Sequence, residues 1–259
     1  MGIWLVAVTA AACAKGGQDP AKIAALEQKV SDLNGRLEKL ETFLGPHMNR
    51  PEEKEPDPAV TYAVDVDGSP FVGKPDAKVT LVMAFDYACP YCFKVGPTLA
   101  ELEKEYGGDL RVVWKFLIVH DEAVVPSLAA CAAHQQGKYP AMNDLIWNEG
   151  FAKRDLSPPL LEKLAGQLKL DMTKYKADLE GGVCMERIKA DTELMGRLGV
   201  HGTPGFFVNG RFLGGAQDIS AFKALIDEEK AKADKAIQAG APAAEYYDTA
   251  VVKGGKKDV

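Results

Sequence analysis

Val79-Thr80-Leu81-Val82-Met83-Ala84-Phe85-Asp86-Tyr87-Ala88-Cys89-Pro90-Tyr91-Cys92 is the stretch whose reading decides the fold. Its first seven residues are apolar apart from Thr80 and partly β-branched, which suits a strand buried on both faces. Two cysteines follow at once, and a helical pattern then runs to Gly107. Cys89 therefore belongs at a helix N-terminus, where unpaired amide hydrogens and the positive end of the helix dipole stabilise a thiolate. It is the expected nucleophile, accessible and with a depressed pKa. Pro90 fits the first helical position, where its missing N–H costs nothing. Cys92, one turn further, is the expected resolving thiol, sheltered and placed to expel a mixed-disulfide partner. Tyr91 completes the turn.

Outward from this unit, Leu110 to Val119 reads as a second buried strand, and Glu122 to Leu198 as helical, broken at Gly137–Pro140, Ser157–Pro159 and Gly181-Gly182. Gly205–Val208, Asn209-Gly210 and Arg211–Leu213 read as a hairpin whose turn dipeptide accepts positive φ cheaply. A closing helix runs from Ile219 to about Lys235. The order predicts an α/β layered domain over residues 60–235, with a helical insertion at about 122–198. In the tail, 236–259, Tyr246 and Tyr247 are expected to dock on the domain and residues 254–259 to fray.

The chain has 259 residues, 47% of them hydrophobic, enough for a sizeable core. Its net charge of −6 gives no broad attraction to phosphate backbones, so nucleic acid is not an expected partner. Residues 1–13 begin with an apolar run too short to span a bilayer and read as an export signal. Ala10-Ala11-Ala12-Cys13 resembles a bacterial lipobox, with Cys13 the lipidated residue; the alternative is an ordinary signal cut nearby. Residues 19–45 read as one helix, with Asp19 as N-cap, Pro20 at its first position, and Gly45 and Pro46 as terminators. Ile23, Leu26, Val30, Leu33, Leu37, Leu40 and Leu44 form a heptad seam. Lys22 and Arg36 face Glu27 and Glu41 of a parallel partner in that register, which predicts a homo-oligomer through residues 20–44; the alternative is an amphipathic helix packed on the chain's own domain. Residues 46–59 hold four prolines and a charge run and read as a solvated linker.

Two cysteines remain to be read. Cys131 and Cys184 lie near the two ends of the insertion, and either form a structural disulfide, worth about 4 kcal/mol in the chain-entropy model, or pack as isolated buried thiols. Cys131 and His134 sit three apart on a predicted helix, but no second ligand pair accompanies them, so neither a metal nor a cofactor is expected.

Phe85 to Cys92, together with Gly199-Val200-His201-Gly202-Thr203-Pro204-Gly205-Phe206-Phe207-Val208-Asn209-Gly210, resembles the DsbA-like branch of the thioredoxin superfamily over roughly Tyr62 to Lys235. The resemblance implies a thioredoxin-like fold and thiol–disulfide exchange. It also implies a cis Thr203-Pro204 peptide against the active sulfurs, where a substrate strand pairs with the backbone. Many relatives carry a buried acid six residues before the first cysteine; Met83 stands there instead. Asp86 reads either as a proton-network member or as a surface or hairpin-capping residue, Lys115 as a network member or an edge charge, and His201 as a thiolate partner or a solvent-facing loop residue. Thr203, Tyr91 and the coiled coil resemble oligomeric disulfide isomerases; a DsbA-type dithiol oxidase is the alternative. A tethered copper-binding or scaffold module is the alternative of another class. The implied setting is the bacterial periplasm or cell envelope, with exported thiol proteins as substrates and a membrane redox partner.

Overall fold

A computed structural model describes residues 21, 24–35 and 54–259, which divide into two units at Lys54. In the first, residues 24–35 form helix α1, with Leu26, Val30 and Leu33 at 61, 55 and 57% exposure. The export signal, Cys13, the remainder of the heptad seam and linker residues 46–53 lie outside the described residues.

The second unit runs through β1 (Phe71–Gly73), β2 (Val79–Phe85), α2 (Pro90–Tyr106), β3 (Leu110–Phe116), α3 (Val124–His134), α4 (Tyr139–Leu145), α5 (Pro158–Gln167), α6 (Met172–Glu180), α7 (Val183–Arg197), β4 (Gly205–Val208), β5 (Arg211–Gly214) and α8 (Ile219–Gln238). The sheet order is β1-β3-β2-β4-β5, with β2 and β3 parallel and the other pairs antiparallel. The parallel pair needs a crossover, and α2 supplies it.

Alternation along β2 divides the core. Leu81, Met83 and Phe85 face a cluster shared with α2, α8 and the helical insertion, whereas Val82 and Ala84 face a second one built with α7, Tyr62 and Val64. All seven β2 residues are buried, which is why the strand reads as a continuous apolar run. Burying each large apolar side chain stabilises the fold by about 1.5–3 kcal/mol. The β4–β5 hairpin is pinned to β2 by Asn209: its Oδ1 accepts from the Thr80 amide at 2.8 Å and its Nδ2 donates to the Lys78 carbonyl at 3.0 Å. Asn209 and Gly210 both adopt positive φ, as the turn dipeptide predicts.

Several expectations are corrected. The second strand stops at Phe116, because the amides of Val119 and His120 turn away to the Asp86 carboxylate. The linker is not solvated throughout: Pro56 is buried, and the Asp57 amide donates to the Tyr62 hydroxyl at 2.8 Å. Residues 254–259 are not frayed. Lys256 bridges Tyr62, the Val259 amide donates to the Arg197 carbonyl, and Val259 packs on the second core cluster. Tyr247 is buried with its hydroxyl donating to the Val64 carbonyl at 2.8 Å, and the Arg111 guanidinium lies 5.1 Å from its ring centre.

Candidate active site

β2 delivers the chain into a turn that Asp86 organises. Its buried carboxylate accepts from the amides of Ala88 (2.6 Å), Val119 (2.8 Å) and His120 (2.8 Å), and the His120 ring lies 3.2 Å away. Asp86 is therefore neither a surface residue nor a hairpin cap; it ties the turn before Cys89 to the loop after β3. The Cys89 amide donates to the Asp86 carbonyl, and Cys89 sits at the N-cap of α2 with Pro90 in the first turn. Three backbone donors on one buried carboxylate fix the direction from which Cys89 enters the helix.

Cys89 and Cys92 are free thiols, 3% and 2% exposed. The sheltering of Cys92 was expected and that of Cys89 was not. The cause is the loop before β4: the Cys89 thiol donates to the Thr203 carbonyl at 3.3 Å, and Thr203-Pro204 is a cis peptide with Pro204 buried. Donation from the Cys92 thiol holds the Cys89 pKa down to about 5, against an opposing effect of burial, with further help from the Thr203 side-chain hydroxyl and from the amides of Cys92 and Tyr91. Burial pushes Cys92 the other way, well above the usual thiol range, and its hydrogen bond to Cys89 adds to that. The site thus holds one easily ionised sulfur and one held protonated, which is the division of labour that thiol–disulfide exchange needs.

The remaining candidates fall in different places. Tyr91 is largely exposed beside the cysteines; Phe93 also reaches the surface and contacts Trp147 and Phe151, at 6.0 and 5.2 Å between ring centres. Met83 is core, opposite Trp114 on β3 and Phe206 on β4. Lys115 lies on an interior strand rather than an edge, and pairs with Asp191 of α7 at 2.9 Å. It stands opposite Ala84 in register, so it belongs to the sheet face away from Cys92. His201 is exposed. Cys131 and Cys184 form a disulfide joining α3 to α7, and the His134 ring lies 3.2 Å from the Gly68 carbonyl.

Asp191 and the anchoring by Asp86 were not apparent in the sequence. An isolated aspartate in a helical pattern carries no sign of a lysine 76 residues earlier.

The thioredoxin family model matches residues 65–228. Among curated proteins, the chain is 32% identical over 158 residues to a Na(+)/H(+) antiporter NhaA of Herminiimonas arsenicoxydans, a match covering 61% of this chain and 25% of that protein. The chain thus spans about a quarter of the length of the antiporters it matches. It is 26% identical to Disulfide bond formation protein D of Bacillus subtilis, over 66% of this chain and 81% of that one. Among solved structures, a thioredoxin-like oxidoreductase from Silicibacter pomeroyi DSS-3 superposes with a TM-score of 0.55 at 27% identity, covering 62% of this chain and 92% of that one. No helix among the described residues is long and apolar enough to cross a membrane.

Proposed function

This chain belongs to the thioredoxin family, and we propose that it is a DsbA-like thiol–disulfide oxidoreductase that rearranges disulfides in exported proteins, with Cys89 as the attacking thiol. The observation that carries this reading is the pairing of a Cys89 thiol with a pKa near 5 and a Cys92 thiol held protonated one helical turn away.

In this mechanism the Cys89 thiolate attacks one sulfur of a substrate disulfide. A Cys89–substrate bond forms, the substrate S–S bond breaks, and the departing sulfur leaves as thiolate. For isomerisation, that substrate thiolate attacks a different disulfide in the same substrate, and a further attack on the mixed disulfide releases Cys89. If resolution is slow, Cys92 loses its proton, attacks Cys89 and expels the substrate reduced. The cis Thr203-Pro204 turn beside Cys89 offers a proline with no N–H and a neighbouring backbone for an extended substrate segment to pair with.

A DsbA-type oxidase is the second reading, favoured by the same depressed pKa: stabilising the dithiol form makes the disulfide form a stronger oxidant. Isomerisation is preferred because Leu26, Val30 and Leu33 form an exposed apolar stripe on α1 that suits self-association, which would gather several sites around one substrate. The setting proposed is the bacterial periplasm or cell envelope, with anchoring through a lipidated Cys13 and redox maintenance by a membrane partner.

Refolding of scrambled ribonuclease tests the reading, alongside catalytic reduction of insulin. Turnover in both that disappears in Cys89→Ser supports isomerase chemistry. Oxidation of reduced ribonuclease without unscrambling moves the assignment to oxidase, and stoichiometric copper binding without turnover moves it to a binding module.

A further inference from the structure

Behind the active-site helix lies a cavity of about 630 Å³ that has Cys92 in its wall and extends from there along α2 to Glu103. One stripe of α2 forms a wall, since Cys92, Gly96, Leu99 and Glu103 recur at helical spacing. The opposite wall comes from α4 and the residues just after it. The interior is apolar, with Phe85, Leu99, Trp114 and Trp147 among its lining, and the volume is that of a small-molecule pocket.

Polar groups break the apolar lining at Lys94, Asn143 and Asn148 and at two carboxylates, Glu103 of α2 and Asp144 of α4. Their neighbours on α2 are neutralised: Glu101 and Glu105 both reach Lys223, at 3.7 and 2.6 Å. Among the described residues the side-chain carboxylates of Glu103 and Asp144 have no ion pair or hydrogen bond. Burial raises the pKa of both, and the Asp144 charge raises Glu103 further. Glu103 is part-buried and Asp144 solvent-exposed, so the two carboxylates, without a counter-charge among the described residues, present negative charge to a cation that enters the cavity. Lys94 also lines the cavity, but it lies nine residues from Glu103, at the Cys92 end of α2.

We infer that this cavity binds a small amphipathic organic cation, an arylalkyl amine or guanidine, with its apolar body among Phe85, Leu99, Trp114 and Trp147 and its charged head at Glu103 and Asp144. Cys92 lines the cavity, but the inference does not require the thiol chemistry. Arginine or lysine side chains of polypeptides carry the same chemistry, so the test separates the two sources.

The full chain is titrated with 4-phenylbutylamine, its neutral isostere 4-phenylbutanol, the anion 4-phenylbutyrate and a short phenylalanyl-arginine peptide, read by tryptophan fluorescence and calorimetry. The amine is expected to bind saturably and about tenfold more tightly than the alcohol, with the anion weaker still. Glu103→Gln/Asp144→Asn should remove that advantage while leaving alcohol binding unchanged. The titratable groups lining the cavity are Cys92, Lys94, Glu103 and Asp144, and amine affinity should fall as pH is lowered from 7 and the two carboxylates take up protons. Equal binding of amine and alcohol to the unmodified chain overturns the proposal, as does an unchanged amine affinity in the folded double variant. Binding of the peptide but not the amine also overturns it, assigning the cavity to polypeptide side chains. The comparison within the unmodified chain decides the matter even if the double variant does not fold.

Discussion

Lys115 Nζ lies 2.9 Å from Asp191 Oδ1, and the two side chains, 3% and 1% exposed, hold β3 against α7. The other Asp191 oxygen accepts from the Phe116 amide at 3.2 Å, so the carboxylate joins a charge and a backbone donor in one buried spot. Lys115→Met should destabilise the fold by about 3–5 kcal/mol, because it leaves the buried Asp191 charge only the more distant Arg187 guanidinium at 3.9 Å, whereas Lys115→Met/Asp191→Leu should recover much of that loss. Burial already raises the Asp191 pKa, with Lys115 the main opposing influence. In Lys115→Met the folded pKa rises further above its unfolded value. The variant's stability is therefore greatest below the usual carboxylate range and falls as pH is raised through the folded pKa. Urea denaturation at pH 4 and pH 7 checks both statements.

Cys89, with its pKa near 5, should alkylate at pH 6 almost as fast as at pH 8, and roughly tenfold more slowly for each unit below 5. Cys92 should remain unlabelled across that range. Because folding depresses the Cys89 pKa from about 8.5, the reduced protein gains stability as pH rises from about 5 to 8.5 and loses it on the way down. Cys92→Ser should accumulate mixed disulfides through Cys89. Mass spectrometry after a brief iodoacetamide pulse reads the labelling, and equal labelling of the two sulfurs would contradict the division of roles.

The Cys131–Cys184 disulfide closes 53 residues of chain. Replacing both with alanine should cost about 4 kcal/mol in the chain-entropy model, since the unfolded insertion regains its freedom. The active-site thiols are on other elements, so the Cys89 alkylation profile should not move. Denaturant titration of the oxidised protein and the double variant measures the difference; a loss under 1 kcal/mol would mean that the helices alone organise the insertion.

Leu26→Glu/Leu33→Glu should convert the proposed oligomer to a monomer, because it places charges along the exposed stripe of α1. Thiol reactivity should persist, with weaker unscrambling of ribonuclease and stronger net oxidation. Light scattering at micromolar concentration reports the assembly. A monomer in the unmodified chain would leave residues 20–44 as a spacer.

Much of this architecture is legible because local patterns and tertiary structure agree. The apolar run Val79–Phe85 is a central strand buried on both faces, and Asn209-Gly210 forms the turn its composition predicts. The cysteine pair is readable for the same reason: strand, turn and helix start are contiguous in the chain. β1 escapes notice because three residues show no period. Lys115 with Asp191, and Glu103 with Asp144, become meaningful only when separate elements meet, and nothing local distinguishes them from surface charges. The docked C-terminus is hidden likewise: a Gly-Gly-Lys-Lys segment has the composition of a frayed end, but its backbone bonds to residues 61 and 63.

The disulfide between α3 and α7 also imposes an order of events on the growing chain. Emerging at roughly 5–20 residues per second, the chain exposes Cys89 and Cys92 almost together, then Cys131, and Cys184 only about 3–10 s later. During that interval Cys131 has no native partner, while the nearest cysteine to each of Cys89 and Cys92 is the other. An oxidant acting in order of appearance would close the reactive pair first and leave Cys131 waiting. Residue Thr203, which covers Cys89 in the finished fold, arrives later still. The nascent protein must therefore pass through a stage in which its own reactive sulfurs are uncovered and its structural bond is not yet available.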